Sequence, residues 1–266
     1  MPSPTPAWSR ATAPLSNLFR VQRPVADFDW RQHAGVLFDL DGVITPTAEI
    51  HEHAWGELFA DFDYTEADYL RYIDGKPRYD GVRSFLASRG IILPEGHPDD
   101  PPGDDTVCAM GNRKNQLFNT ILERDGIEPY PSSVATLDLL DEAGVRSAIV
   151  SSSKNARSVL DAAGLGDRFD VVVDGVVAVT EHIVGKPAPD MFLHAARRLG
   201  VEPERTVVVE DAVSGVAAGA AGGFAVVIGV DRGAGADTLL DQGADFVVDD
   251  LSDLLDDDGH ASQVDA

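Results

Sequence analysis

The acidic residues of this chain fall where they could do chemistry. Asp39 and Asp41 stand two residues apart at the end of the apolar run Gly35-Val-Leu-Phe-Asp-Leu40, an extended spacing that leans both side chains to one side. Glu210 and Asp211 follow a second such run, Thr206-Val-Val-Val209. A third, Ser147-Ala-Ile-Val150, is followed by Ser151, Ser152, Ser153, Lys154 and Asn155, and Lys186 stands in the loop Gly185-Lys-Pro-Ala-Pro-Asp190. Ligands of open α/β sheets sit beyond the carboxyl ends of the strands, so four carboxylates, a hydroxyl cluster and a lysine are expected along one edge. Four acids packed together raise each other's pKa and repel an anion. A hard divalent ion such as Mg2+, held by oxygen ligands and a substrate phosphate, removes both problems. Ser151 and Lys186 can then hold phosphoryl oxygens, while one aspartate attacks phosphorus and its neighbour moves a proton. That chemistry is phosphoryl transfer through an aspartyl phosphate.

The elements that must position these residues are legible in the pattern. Continuous β-branched runs recur at Asp170-Val-Val-Val173, Ala225-Val-Val-Ile228 and Phe246-Val-Val248, the signature of strands buried on both faces. Helical patterns at Ser133–Ala143, Asn155–Ala163, Pro189–Leu199 and Val213–Gly222 separate them. The alternation predicts an α/β fold, a doubly wound parallel sheet. It is interrupted from about residue 49 to 130, a polar-aromatic, helical segment placed directly after the first strand and read as an inserted helical cap. The expected organisation is a loosely structured Pro-rich leader over 1–33, a core built from 34–48 and 131–250, a cap over 49–130 and an acidic, solvated tail over 251–266. Within the cap, Pro94–Gly103 reads as a Pro/Gly/Asp loop too long for a simple turn.

Composition sets the limits. The 266 residues carry 45 Asp+Glu against 21 Lys+Arg, a formal charge of −24, which opposes binding to nucleic acid or an anionic membrane surface. A single cysteine, Cys108, excludes an internal disulfide and suits a reducing compartment. The uncharged stretch Ala212 to Val230 has a helix-then-strand pattern and reads as core. No secretory signal is evident, so the protein is expected to be cytoplasmic, and a monomer is expected.

The motif Asp39-Leu-Asp-Gly-Val-Ile-Thr45, followed in order by Ser151, Lys186 and Glu210-Asp211, resembles the four motifs of the haloacid dehalogenase superfamily of phosphotransferases over roughly 35–248. Within it the chain is similar to the β-phosphoglucomutase subfamily, through Phe38 to His51 with Ala54-Trp55, Ser151-Ser-Ser-Lys-Asn155, Gly185-Lys-Pro-Ala-Pro-Asp190 and Arg113-Lys-Asn115. The resemblance implies that Asp39 is the nucleophile and Asp41 the general acid/base. It implies Mg2+ held by Asp39, Glu210, Asp211 and the Asp41 backbone carbonyl. Ser151 and Lys186 would hold the transferring phosphoryl, and Arg78, Ser153, Lys154 and Asn155 the distal phosphate of a small phosphorylated sugar. Thr47, His51 and Lys114 would couple cap closure to the acid/base. The sequence departs from the subfamily at Pro46, where Asp is expected, at Asp74, where Lys is expected before Gly75, and in the length of Pro94–Gly111. These bear on substrate preference.

Two activities fit these residues. One is interconversion of β-D-glucose 1-phosphate and glucose 6-phosphate through glucose 1,6-bisphosphate; the other is hydrolysis of small sugar phosphates by the same aspartyl phosphate. A second phosphate site favours the first, since a bisphosphate must turn over in place. Plainer readings compete at single residues: His51 as a histidine packed on Trp55, Arg78 and Lys114 as solvent-facing cations, and Ser151–Ser153 as helix caps. Trp55, Phe59 and Phe62 are expected to be helix-face core.

Overall fold

In a computed structural model, residues 28–255 are described apart from 74, 75 and 77. Asp74 and Gly75, one of the departures noted above, lie outside the described residues, as do most of the proposed leader and tail. Six strands form one sheet: β1 (Gly35–Phe38), β2 (Arg146–Val150), β3 (Val171–Val173), β4 (Thr206–Glu210), β5 (Val226–Val230) and β6 (Phe246–Val248). Their order is β3-β2-β1-β4-β5-β6 and every pairing is parallel. The chain therefore winds outward from β1 to β3, then returns to β4 on the other side of β1. The carboxyl ends of β1 and β4 meet where the winding reverses, which is where such sheets open a crevice for ligands.

Between β1 and β2 the chain forms α1 (Thr47–Leu58), a short turn α2 (Glu66–Asp68), α3 (Arg78–Ser88) and α4 (Val107–Asp125). The core helices are α5 (Pro131–Ala143), α6 (Ala156–Ala162), α7 (Gly175–Thr180), α8 (Asp190–Leu199), α9 (Val213–Ala221) and α10 (Ala236–Asp241). The period-two alternation of the strands divides the core. Val36 and Phe38 of β1 face one layer with Leu137 and Leu140 of α5, while Leu37 faces the other with Met191 and Phe192 of α8. The cap helices have an apolar cluster of their own around Trp55, Phe59, Phe85 and Met110. Phe59 stacks between Trp55 (5.5 Å) and Phe85 (4.0 Å), so Trp55 and Phe59 are core as expected, and Phe62 packs against that cluster.

Two boundaries move. The leader's last residues belong to the core: Trp30 is fully buried, packs edge-on to Phe28 at 4.8 Å, and sits in a turn that the Asp29 side chain caps by accepting from the Arg31 amide. Pro-rich composition hid two large aromatic side chains whose burial outweighs the disorder signal around them. At the other end, Leu251 and Leu254 are buried in the same cluster, on a turn capped by Asp250. Their three-residue spacing puts both on one side, so the acidic run begins as a core-covering turn. The loop ahead of α4 is held from inside: Asn112 donates to the carbonyls of Pro98 (2.9 Å) and Asp100 (2.8 Å).

Candidate active site

Asp39 leaves β1 with its amide still donating to the Val209 carbonyl at 2.9 Å, and the Ser151 amide donates to the Val173 carbonyl at 3.0 Å. The sheet thus sets the backbone of both residues beyond its carboxyl edge. The Lys186 ammonium, on the loop before α8, joins the cluster. It donates to Asp39 Oδ1, to Glu210 Oε1 at 2.6 Å and to the Val150 carbonyl at 2.9 Å. Burial works against a charged lysine, but Asp39 and Glu210 more than offset it and hold the group above its usual range. Two glycines make room for these acids. A Cβ on Gly42, whose φ is +81°, would lie 2.0 Å from Asp211 Oδ2, and one on Gly215 would lie 1.6 Å from Glu210 Oε1.

One lysine does not neutralise four carboxylates. Burial, and then Asp39, pushes Asp41 up to about 6; burial pushes Glu210 up to about 7. Asp211 is raised well above the usual carboxylate range by burial and by Glu210, Asp39 and Asp41. A charge-deficient set of hard oxygen donors fits a divalent cation. Glu210 has a second task beside its expected place among the ligands. Its two oxygens accept from Lys186 Nζ and from the Ala212 amide (2.8 Å), so it positions the lysine. The expected oxygen donors for a metal, Asp39, Asp211, Glu210 and the Asp41 carbonyl, all belong to this strand-end cluster. Among the described residues no three Asp, Glu, His or Cys side chains form a ready-made metal cage.

The cap supplies the opposite wall. Thr47, fully buried at the start of α1, donates its hydroxyl to Asp41 Oδ1, and Ser151 reaches the other Asp41 oxygen at 3.5 Å. His51 stacks on Phe118 at 4.4 Å, not on Trp55. Its Nδ1 lies 2.5 Å from the Lys114 ammonium. Burial, with Lys114 and Arg78 nearby, holds His51 down to about 3, so the neutral ring accepts from Lys114. Burial and Arg78 bring Lys114 down to about 7. Arg78 and Lys114 are therefore neighbours of the site, and Lys114 is buried where the plainer reading made it solvent-facing.

The expected distal set is divided. Ser153 accepts from the Asn155 amide at 3.1 Å, and the Asn155 side chain donates to Asn115 of α4 at 2.8 Å, across the cap-core boundary. Asn115 and Arg78 together line a cavity of about 570 Å³ that the Pro98–Asp100 segment walls. Lys154 does not join them: it is exposed and lines a different cavity with Gly175, His182 and Met191, because its stem lies along Gly175. Asn115 was within a quoted motif but had no assigned role; only the fold brings it to Asn155.

A family model described as haloacid dehalogenase-like hydrolase matches residues 33–223. The chain is 51% identical over 238 residues to the β-phosphoglucomutase of Mycobacterium tuberculosis, covering 82% of this chain and 90% of that protein. It is 32% identical to hexitol phosphatase A of Escherichia coli, over 73% of this chain and 81% of the relative. The crystal structure of β-phosphoglucomutase from Clostridium difficile superposes with a TM-score of 0.64 at 26% identity, covering 84% of this chain and 93% of the other. The sheet order, the acids at its switch point and these similarities agree: the chain belongs to the haloacid dehalogenase-like hydrolases, in their β-phosphoglucomutase-like branch.

Proposed function

We propose that the chain is a β-phosphoglucomutase, interconverting β-D-glucose 1-phosphate and D-glucose 6-phosphate. The observation that carries the mutase reading is the tie between acid/base and cap: Thr47, the first residue of the first cap helix, donates to Asp41. Identity of 51% to a mycobacterial β-phosphoglucomutase supports the substrate. A group that must act on a sugar hydroxyl, and not on water, gains from being held by the element that closes over the sugar.

In this reading the Asp39 carboxylate carries the phosphoryl group, with Lys186 and Ser151 holding its oxygens. Asp41 takes the proton from the sugar C6 hydroxyl as that oxygen attacks phosphorus, and Asp39 leaves as a carboxylate. The bisphosphate turns over in place. Asp39 then attacks the C1 phosphoryl, and Asp41 returns the proton to the departing C1 oxygen. Burial, which keeps Asp41 near 6, makes both protonation states accessible at neutral pH. Arg78, Ser153 and Asn155 would hold the phosphate that is not reacting; the exposed Lys154 lies along Gly175 and would have to swing from there to join them. A bound Mg2+, held by Asp39, Glu210, Asp211 and the Asp41 carbonyl, would offset the crowded negative charge and draw electron density from the transferring phosphoryl.

The test is ³¹P NMR of the full chain with Mg2+, β-glucose 1-phosphate and a trace of β-glucose 1,6-bisphosphate. Glucose 6-phosphate is expected to accumulate without inorganic phosphate. Inorganic phosphate as the main product overturns the mutase in favour of a sugar-phosphate phosphatase, the activity named for the E. coli relative.

Lys114 gives a pH prediction. The group, held down to about 7, is cationic below that pH and neutral above it. If its charge draws the substrate phosphate in, kcat/KM falls as pH rises through about 7, toward about tenfold per pH unit, because that ratio reports the free enzyme. Bound phosphate favours the charged form, so the corresponding limb in kcat lies at higher pH. Lys114→Gln is expected to remove the kcat/KM limb; a variant keeping the same limb shows another group titrates there.

A further inference from the structure

Arg232 follows β5 and belongs to none of the four motifs, yet it makes more polar contacts than most residues that do. Its Nε donates to the Gly42 carbonyl at 2.9 Å and its Nη1 to the Asp249 carbonyl at 3.1 Å. Its Nη2 pairs with Asp250 at 3.3 Å, and the guanidinium lies 4.1 Å from the centre of the Tyr130 ring.

Those partners are informative. Gly42 lies in the segment that leads from β1 out to the cap, and Tyr130 ends the segment that returns from it. The two segments are themselves joined, Tyr130 N to the Ile44 carbonyl at 2.9 Å and Ser133 Oγ to the Val43 carbonyl at 2.6 Å. Arg232 thus grips the core ends of both cap connections, and Asp249 and Asp250 tie it to the end of β6. Gly42 is also the residue next to Asp41, and its Cα is packed under the Asp211 carboxylate. A planar fork that can donate in several directions while stacking on a ring is a role only arginine fills.

We propose that Arg232 is a positioning residue: it fixes the core ends of both cap connections, so that cap movement bends the chain beyond the Asp41–Gly42 turn and the Asp41 backbone stays beside Asp39 while its carboxylate answers to Thr47. The part that concerns product partition rests on the mutase reading above; the anchoring itself does not.

The experiment compares the full-length wild type, Arg232→Met and Arg232→Lys in two measurements. Methionine keeps an apolar stem for Tyr130 and removes every donor. Hydrogen-deuterium exchange by mass spectrometry is expected to quicken in Arg232→Met for peptides spanning 41–47 and 126–133. One lost charge-assisted hydrogen bond predicts at least about tenfold there, with the remaining strands unchanged. Lysine, with one useful donor direction, is expected to recover part of that protection. Product analysis is expected to show the ratio of inorganic phosphate to glucose 6-phosphate rising by roughly tenfold or more in Arg232→Met, with KM little changed, because a displaced acid/base misaligns the acceptor. Unchanged exchange in both segments overturns the proposal, as does faster exchange spread evenly over the sheet. If Arg232→Met does not fold, Arg232→Lys and Tyr130→Leu decide by the same local exchange. A wild type that makes no glucose 6-phosphate defeats the mutase reading, and the exchange result then decides the anchoring alone.

Discussion

Asp39→Asn is expected to abolish turnover, with a loss on the order of 10⁴-fold or more, the scale seen when a covalent nucleophile is removed. The amide has no carboxylate oxygen to attack phosphorus, and it weakens the ion pair with Lys186. The fold should survive, because Lys186 keeps Glu210 and the Val150 carbonyl as partners. The measurement is acid-quenched phosphoprotein together with steady-state rate, on protein whose thermal transition matches the wild type. No phosphoprotein and no turnover are expected; a rate within tenfold of wild type would sink the aspartyl-phosphate mechanism.

The second large effect belongs to Asp41. Asp41→Asn removes proton transfer and one negative charge beside Asp211, and it changes one of the two side-chain oxygens that Thr47 and Ser151 reach. The backbone carbonyl left for a cation is untouched, and the new amide oxygen can still accept from Thr47. Removing a general acid/base costs typically 10²- to 10⁴-fold, so kcat should fall by about that factor while substrate affinity changes little. Rapid-quench kinetics with β-glucose 1,6-bisphosphate should then show phosphoprotein forming slowly. The two variants thereby separate the roles: Asp39→Asn forms none, Asp41→Asn forms it late. Equal loss of phosphoprotein in both would mean that Asp41 does more than move a proton.

The divided distal set bears on specificity. Arg78 and Asn115 share a cavity with the loop that lengthens this cap, whereas Lys154 lies elsewhere. Arg78 and Lys114 are the cap cations that influence one another beside Asp41, on a chain whose formal charge is −24.

Much of the catalytic edge could be read from the sequence because it is local. Asp39 and Asp41 are fixed by a strand end, Ser151 by another, and Glu210 and Asp211 by a third; each strand announces itself as a short apolar run. The inserted helices were legible for the same reason, their pattern breaking the alternation around them. Hydrophobic residues in a polar context were not. Trp30 and the Leu251/Leu254 pair sit in Pro-rich and Asp-rich surroundings, and local composition carries no information about a core surface elsewhere in the fold that each can cover.

The class of chemistry and the sheet that hosts it can be read along the chain, since strand-end acids and buried strands are properties of neighbouring residues. The pairings between distant ones come from packing. Glu210 proved to face Lys186, Lys154 turned toward Gly175, Asn115 met Asn155, and Arg232 reached Gly42 across 190 positions of chain. A side chain's partner is set by which surfaces the packed layers bring within about 3 Å, and no spacing along the chain encodes that distance.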